Sequence, residues 1–143
     1  MKKKICFDLD GTIANLYAVE NWLHMLRAYD ATPYRKAEPM LNMSAFARLL
    51  HKAQKLGYEI VVISWLSKEP TQEYDNAVTE AKLEWLTNHL PSVEWNEIHI
   101  VAYGTPKHEL CEGILFDDEE PNRNAWGEGA YEPSEIMSFL RSL

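Results

Sequence analysis

Apolar residues along this chain change their spacing from segment to segment, and the changes mark out alternating strands and helices. Ile5-Cys6-Phe7 and Ile60-Val61-Val62-Ile63 are short unbroken apolar runs, the pattern of strands covered on both faces of a parallel sheet. They predict strands over 4–9 and 58–63, the second favoured by its β-branched residues. Shorter runs predict strands at 97–101 and 113–116 and a brief extended segment at Ala130-Tyr131. Between them the period shifts to that of a helix. Phe46, Leu49, Leu50 and Ala53 predict a helix over 44–56, with Gly57 placed to cap it. Val78, Ala81, Trp85 and Leu86 predict another over 75–89, reached by a loop through Pro70 and ended by Pro91. A last helix starts at Pro133, where proline suits a first turn. Val19, Trp22, Leu23, Leu26 and Tyr29 share one stripe and predict a helix over 19–29, with Trp22 and Tyr29 facing the core. The segment 30–42, with Pro33 and Pro39, reads as a loop.

Strands alternating with helices predict an α/β fold, a parallel sheet flanked by helices in three Rossmann-like layers. The 143 residues are expected to form a single domain, 1–143, carrying a small helical insert at about 13–43. In such sheets ligands bind beyond the carboxyl ends of the strands, where the strand order reverses. The polar residues just past each strand are therefore the candidates for chemistry.

Composition narrows the function. A net charge of −8 argues against nonspecific nucleic-acid binding. Met1-Lys2-Lys3-Lys4 is followed by only three apolar residues before Asp8, whereas an export signal needs about 7–15, so the expected location is cytoplasmic. No apolar run approaches the roughly 20 residues of a membrane span. Cys6 and Cys111 fit no metal-ligand spacing, and Cys6 reads as a small buried hydrophobe.

The strand ends carry a recurring chemistry. Asp8-Leu9-Asp10-Gly11-Thr12 follows the first strand; two carboxylates one residue apart suit a divalent cation beside a phosphate. Gly11 allows a sharp turn, and Thr12 begins a segment whose N–H groups would face an anion. Ser64 ends the second strand, Asp117 and Asp118 the fourth, and Lys107 lies between the third and fourth at the start of a short helix. Four acids, a hydroxyl and an ammonium on one edge suit a phosphate bound next to magnesium. Each has a plainer reading: turn aspartates, a capping serine, a solvated acidic run from Asp117 to Glu120, or a surface lysine. Lys68 and Lys82 compete for the part given to Lys107.

From Ile5 to about Asn122 the chain resembles the haloacid dehalogenase superfamily of phosphotransferases, with its four motifs in order as Asp8-Leu9-Asp10-Gly11-Thr12, Ser64, Lys107 and Asp117-Asp118. The resemblance implies a Mg2+-dependent phosphomonoester hydrolase working through an aspartyl-phosphate. Asp8 would be nucleophile and Asp10 acid and base. Asp8, the Asp10 carbonyl and Asp118 would hold the ion, with Asp117 holding water or an outer position and Asn122 close to the metal. Ser64 and Lys107, with Gly11 and Thr12, would grip the phosphoryl group.

The insert is short, so the site is either open to a bulky substrate or covered by a second subunit in a homo-oligomer. Asn15, Tyr17, Tyr34 and Trp65 are the candidate substrate contacts, an aromatic side chain there being able to stack on a nucleobase. A small insert after the first motif also resembles the 5′(3′)-deoxyribonucleotidase branch, which implies a nucleoside monophosphate as the small phosphorylated substrate. The alternatives are a phosphatase for nucleic-acid ends or another macromolecule, and, outside enzymes, a receiver-like or silent phosphate-binding module. A receiver would place its acid after the third strand, where Val101-Ala102 stand instead.

Overall fold

The computed structural model describes residues 3–68 and 71–143. Residues 1, 2, 69 and 70 lie outside the described residues, and with them Pro70 of the expected loop and the start of the Met1-Lys2-Lys3-Lys4 run. Five parallel strands among the described residues form the central sheet: β1 (Lys4–Phe7), β4 (Glu59–Trp65), β5 (Glu97–Val101), β6 (Ile114–Phe116) and β7 (Ala130–Tyr131). Their order across the sheet is β5-β4-β1-β6-β7. β1 is central, with Phe7 level with Val62 of β4 and with Phe116 of β6.

Alternation sends successive side chains to opposite faces, and both faces are covered. Ile5, Phe7, Ile60, Val62 and Phe116 pack beneath α3 (Met43–Lys55), α4 (Gln72–His89) and α6 (Ile136–Ser142), through Phe46, Leu50, Trp85, Leu86, Ile136 and Leu140. Cys6, Val61, Ile63 and Leu115 face the other way, under Leu110, Cys111 and Trp126, the last residue of α5 (Glu120–Trp126). This is the three-layer α/β arrangement that the unbroken apolar strands require. The chain builds outward from β1 to β4 and β5, then returns to lay β6 on the other side of β1. That reversal opens a crevice beyond the carboxyl ends of β1 and β6.

The insert after β1 differs from the expected helix and loop. β2 (Ala14–Asn15) and β3 (Glu38–Pro39) pair antiparallel and close its base. Between them lie a 3-10 turn at Leu16–Ala18, α1 (Trp22–Arg27) and α2 (Thr32–Lys36). The helix expected over 19–29 is only six residues long, because Asn21 (φ 62°) and Tyr29 (φ 58°) take left-handed backbone on either side of it. Nor do its aromatic residues reach the core: Tyr29 is 53% exposed and no residue of α1 is buried. The expected loop contains α2, opened by Pro33 in its first turn and by Asp30, whose carboxylate accepts from the Thr32 N–H at 3.0 Å. Leu16, Ala31 and Tyr34 of the insert pack on Tyr74, Val78 and Ala81 of α4 as a second small core.

Candidate active site

The turn after β1 is wound tightly around one carbonyl. The N–H groups of Thr12, Ile13 and Ala14 all donate to Leu9 O, at 3.2, 2.9 and 2.9 Å, and Gly11 N donates to Ala14 O at 2.8 Å. Gly11 has φ 81°, and a Cβ there would run into the Asp118 carboxylate, so only glycine fits. This differs from the expectation that Thr12 begins a segment whose N–H groups face an anion: those of Thr12, Ile13 and Ala14 are bonded within the turn. The Thr12 side chain instead positions acids, its Oγ1 donating to Asp8 Oδ2 at 3.1 Å and lying 3.5 Å from Asp118 Oδ1.

Asp8 and Asp117 stand side by side because β1 and β6 are in register; Asp8 N donates to Phe116 O at 2.9 Å. Lys107, 4% exposed, lies between them with Nζ 3.0 Å from Asp8 Oδ1 and 2.8 Å from Asp117 Oδ2. A 3-10 turn at Lys107–Glu109 delivers it from the segment after β5. Asp117 is fully buried and also accepts from Asn122 Nδ2 at 3.1 Å and from Glu119 N at 2.9 Å. Asp118, by contrast, turns its carboxylate toward Asp8, with Thr12 Oγ1 3.5 Å away.

Oxygens of Asp8, Asp117 and Asp118 all lie within 4.8 Å of one another. So much negative charge in one place leaves a mark on its titration. Burial, then Asp8 and Asp117, push the Asp118 carboxyl up to about 8. Burial and Asp8 raise Asp117 as well. At Lys107 burial opposes the charge, but Asp8 and Asp117 outweigh it and hold the ammonium above its usual range. An all-oxygen donor set with one carboxyl forced to keep its proton fits a hard divalent cation.

A second buried lysine was foreshadowed only as a rival to Lys107. Lys82, on α4, is completely buried, and its Nζ lies 2.6 Å from Ser64 Oγ, 2.6 Å from Trp65 O and 3.0 Å from Asp10 Oδ2. Its ammonium also sits 5.1 Å from the centre of the Tyr34 ring. Ser64 and Asp10 are thus joined through Lys82, while Lys107 serves Asp8 and Asp117. The sequence carried a signal: position 82 falls on the same helical stripe as Val78, Ala81, Trp85 and Leu86, where a lysine is out of place unless it is paired. Lys68, the other rival, is exposed at the rim, 5.6 Å above the Tyr103 ring.

Asp8, Asp10, Lys107 and Asn122 open into a cavity of about 270 Å³. Of the four candidate substrate contacts, Tyr17, Tyr34 and Trp65 line it and Asn15, in β2, does not. Trp22 lines it too, edge-on to Tyr17 with ring centres 5.0 Å apart, which corrects its expected core position. Trp65, also lining the cavity, packs against Tyr103 at 4.9 Å and donates Nε1–H to Thr105 O at 2.8 Å. Burial and the nearby acids raise the Tyr17 hydroxyl far above its usual range, so it stays a neutral donor.

A five-stranded parallel sheet with this strand order, an insert after β1 and acids at the crevice is the haloacid dehalogenase-like Rossmann-type fold. The crystal structure of D,D-heptose 1,7-bisphosphate phosphatase from Burkholderia thailandensis is similar, with a TM-score of 0.58 over 99% of this chain and 97% of that one. At 14% identity the likeness is one of fold. Neither a protein-family profile nor a curated protein matches the sequence.

Proposed function

We propose that the protein is a magnesium-dependent phosphomonoesterase in which Asp8 is the nucleophile. The observation that carries this reading is the Asp8 carboxylate, held between Thr12 and Lys107 at the mouth of the cavity, with Asp10 beside it. An Asp8 oxygen bonds to phosphorus as the bond from phosphorus to the ester oxygen breaks. Asp10 gives its proton to that departing oxygen. The cleaved alcohol leaves, and Asp10 takes a proton from water as the water oxygen attacks phosphorus. The bond between Asp8 and phosphorus then breaks, freeing inorganic phosphate and restoring Asp8. Lys107 meets the charge that grows on the phosphoryl oxygens, and Ser64, its Oγ fixed by Lys82 together with Asp10, would offer them a hydroxyl hydrogen bond. Magnesium, held by Asp8 and Asp118 with Asp117 in support, would supply neutralisation of phosphate charge.

The substrate proposed is a nucleoside monophosphate. Tyr17 with Trp22 and Trp65 with Tyr103 put two aromatic pairs in the cavity lining, ring faces on which a planar base can stack. A sugar phosphate is the second reading, favoured by the fold neighbour, whose name states a heptose bisphosphate. Lys68 at the rim would then meet the second phosphate. Magnesium-supplemented phosphate release from nucleoside monophosphates, sugar phosphates and 5′-phosphorylated oligonucleotides tests both. We expect turnover of one of these small substrates, abolished in Asp8→Asn with the circular dichroism spectrum intact. Substantial turnover by Asp8→Asn removes the nucleophile assignment. Turnover of oligonucleotides alone turns the substrate reading to macromolecular ends.

A further inference from the structure

Away from the cavity, on the sheet face that carries Cys6 and Leu115, three side chains of metal-ligating type converge. Glu97 and His99 alternate outward from the edge strand β5, so both point to one face. Cys111 comes down on them from the segment that follows the 3-10 turn at Lys107–Glu109. His99 Nε2 lies 2.9 Å from Glu97 Oε1, and Cys111 Sγ lies 3.9 Å from each of those atoms. Bond lengths of about 2.0–2.3 Å to nitrogen, oxygen and sulfur put neighbouring ligand atoms of a tetrahedral zinc roughly 3.3–3.6 Å apart. The observed triangle is within about half an ångström of that on each side, by the same bond lengths.

We propose that Glu97, His99 and Cys111 form a second metal site, for a borderline-soft divalent ion of the zinc class. Mixed sulfur, nitrogen and oxygen donors select such an ion over magnesium, which the acidic cluster at Asp8 suits. Binding replaces the Cys111 thiol proton with the ion, releasing one proton; His99 binds as neutral imidazole through Nε2 with its proton on Nδ1. Three protein ligands leave the fourth position to water. Lys4 holds the other Glu97 oxygen, Oε2, and so orients the carboxylate from outside the ligand set. His99 and Glu97 side chains are 28% and 29% exposed, which gives the ion a way in. Occupancy ties the edge strand to the segment that delivers Lys107, since Leu110 N donates to Lys107 O at 3.0 Å immediately before Cys111.

The test uses the full chain, stripped of metal by a chelator, with both free thiols kept reduced and counted by titration. Added Co2+ is expected to give one thiolate-bound ion per chain, read from thiolate-to-cobalt charge-transfer absorption that saturates at one equivalent and the visible bands of a tetrahedral ion. Zn2+ should bleach these bands, and excess Mg2+ should leave them. Cys111→Ser should abolish the charge transfer, and Asp8→Asn should retain it. His99→Ala, at a partly exposed position, should weaken cobalt binding by more than the roughly 10–100-fold that loss of an outer partner costs, with an unchanged circular dichroism spectrum. Absence of charge transfer in the reduced wild-type chain overturns the site. So does its persistence in Cys111→Ser, or unchanged cobalt affinity in His99→Ala.

Discussion

Lys82 has no exposed surface, yet its ammonium ends 3.0 Å from Asp10 and 2.6 Å from Ser64. A charge in that position is tolerable only because every donor it has is matched. Removing one partner of a buried pair typically costs about 3–5 kcal/mol, since the other charge is left unpaired. Asp10 reaches the cavity, so water recovers part of that loss and the lower end applies. Lys82→Ala is therefore expected to reduce stability in urea unfolding by about 3 kcal/mol. Adding Asp10→Asn to Lys82→Ala should restore part of it, because the acid that was stranded is gone. Strict additivity of the two changes would mean the pair is not an energetic unit. The same residue marks the limit of what the sequence discloses. Asp8, Asp10 and Asp117 are legible because each follows a strand whose apolar run fixes its end, Ser64 because it closes the apolar run of β4, and Lys107 only by its place in the order of the motifs. Lys82 sits within a helix, where only its register against Val78 and Trp85 distinguishes it from a surface lysine.

The insert depends on α4 in the same way that the site depends on Lys82. Trp85 is 1% exposed, and its Nε1 donates to Ala37 O, directly after α2, at 2.7 Å. Trp85→Phe keeps an aromatic ring in the core but leaves that carbonyl without its donor. A stranded buried acceptor costs about 1–3 kcal/mol. The melting temperature should fall accordingly, and hydrogen exchange should quicken over 31–39 while β1 and β4 stay protected. Uniform exchange across the chain would show that the indole supports the fold as a whole rather than anchoring the insert. Strands and long helices are predictable to within a few residues, because burial on both faces of the sheet imposes short unbroken apolar runs that β-branched residues mark as strands, while the helices carry apolar stripes at helical spacing. The insert is not, because its elements are set by positive φ at Asn21 and Tyr29 and by a two-residue strand pair. α5 was likewise hidden inside an acidic run, and only Pro121 in its first turn hinted at a helix.

On the scale of the whole molecule, a chain of net charge −8 concentrates three of its acids at one crevice. Folding without a cation therefore works against its own electrostatics. The Asp118 carboxyl rises from 3.8 to about 8 in the folded chain, so the folded state binds a proton that the unfolded state releases above about pH 4. Its contribution to stability is complete below the unfolded value and is lost as pH climbs through about 8; Asp117 shifts in the same direction. A divalent ion bound at the cluster would take the place of that proton. At pH 5 it must displace the Asp118 proton, whereas at pH 8 that carboxyl is already about half ionised. Magnesium should consequently raise the melting temperature more at pH 8 than at pH 5, each measured against the chelator-treated chain in matched ionic strength. Comparing with and without the ion at each pH cancels the groups elsewhere that titrate over the same range. An equal rise at both pH values would place magnesium away from Asp8, Asp117 and Asp118. A rise confined to the higher pH, lost in Asp118→Asn, would tie the ion to the crevice that the reversal of strand order opens.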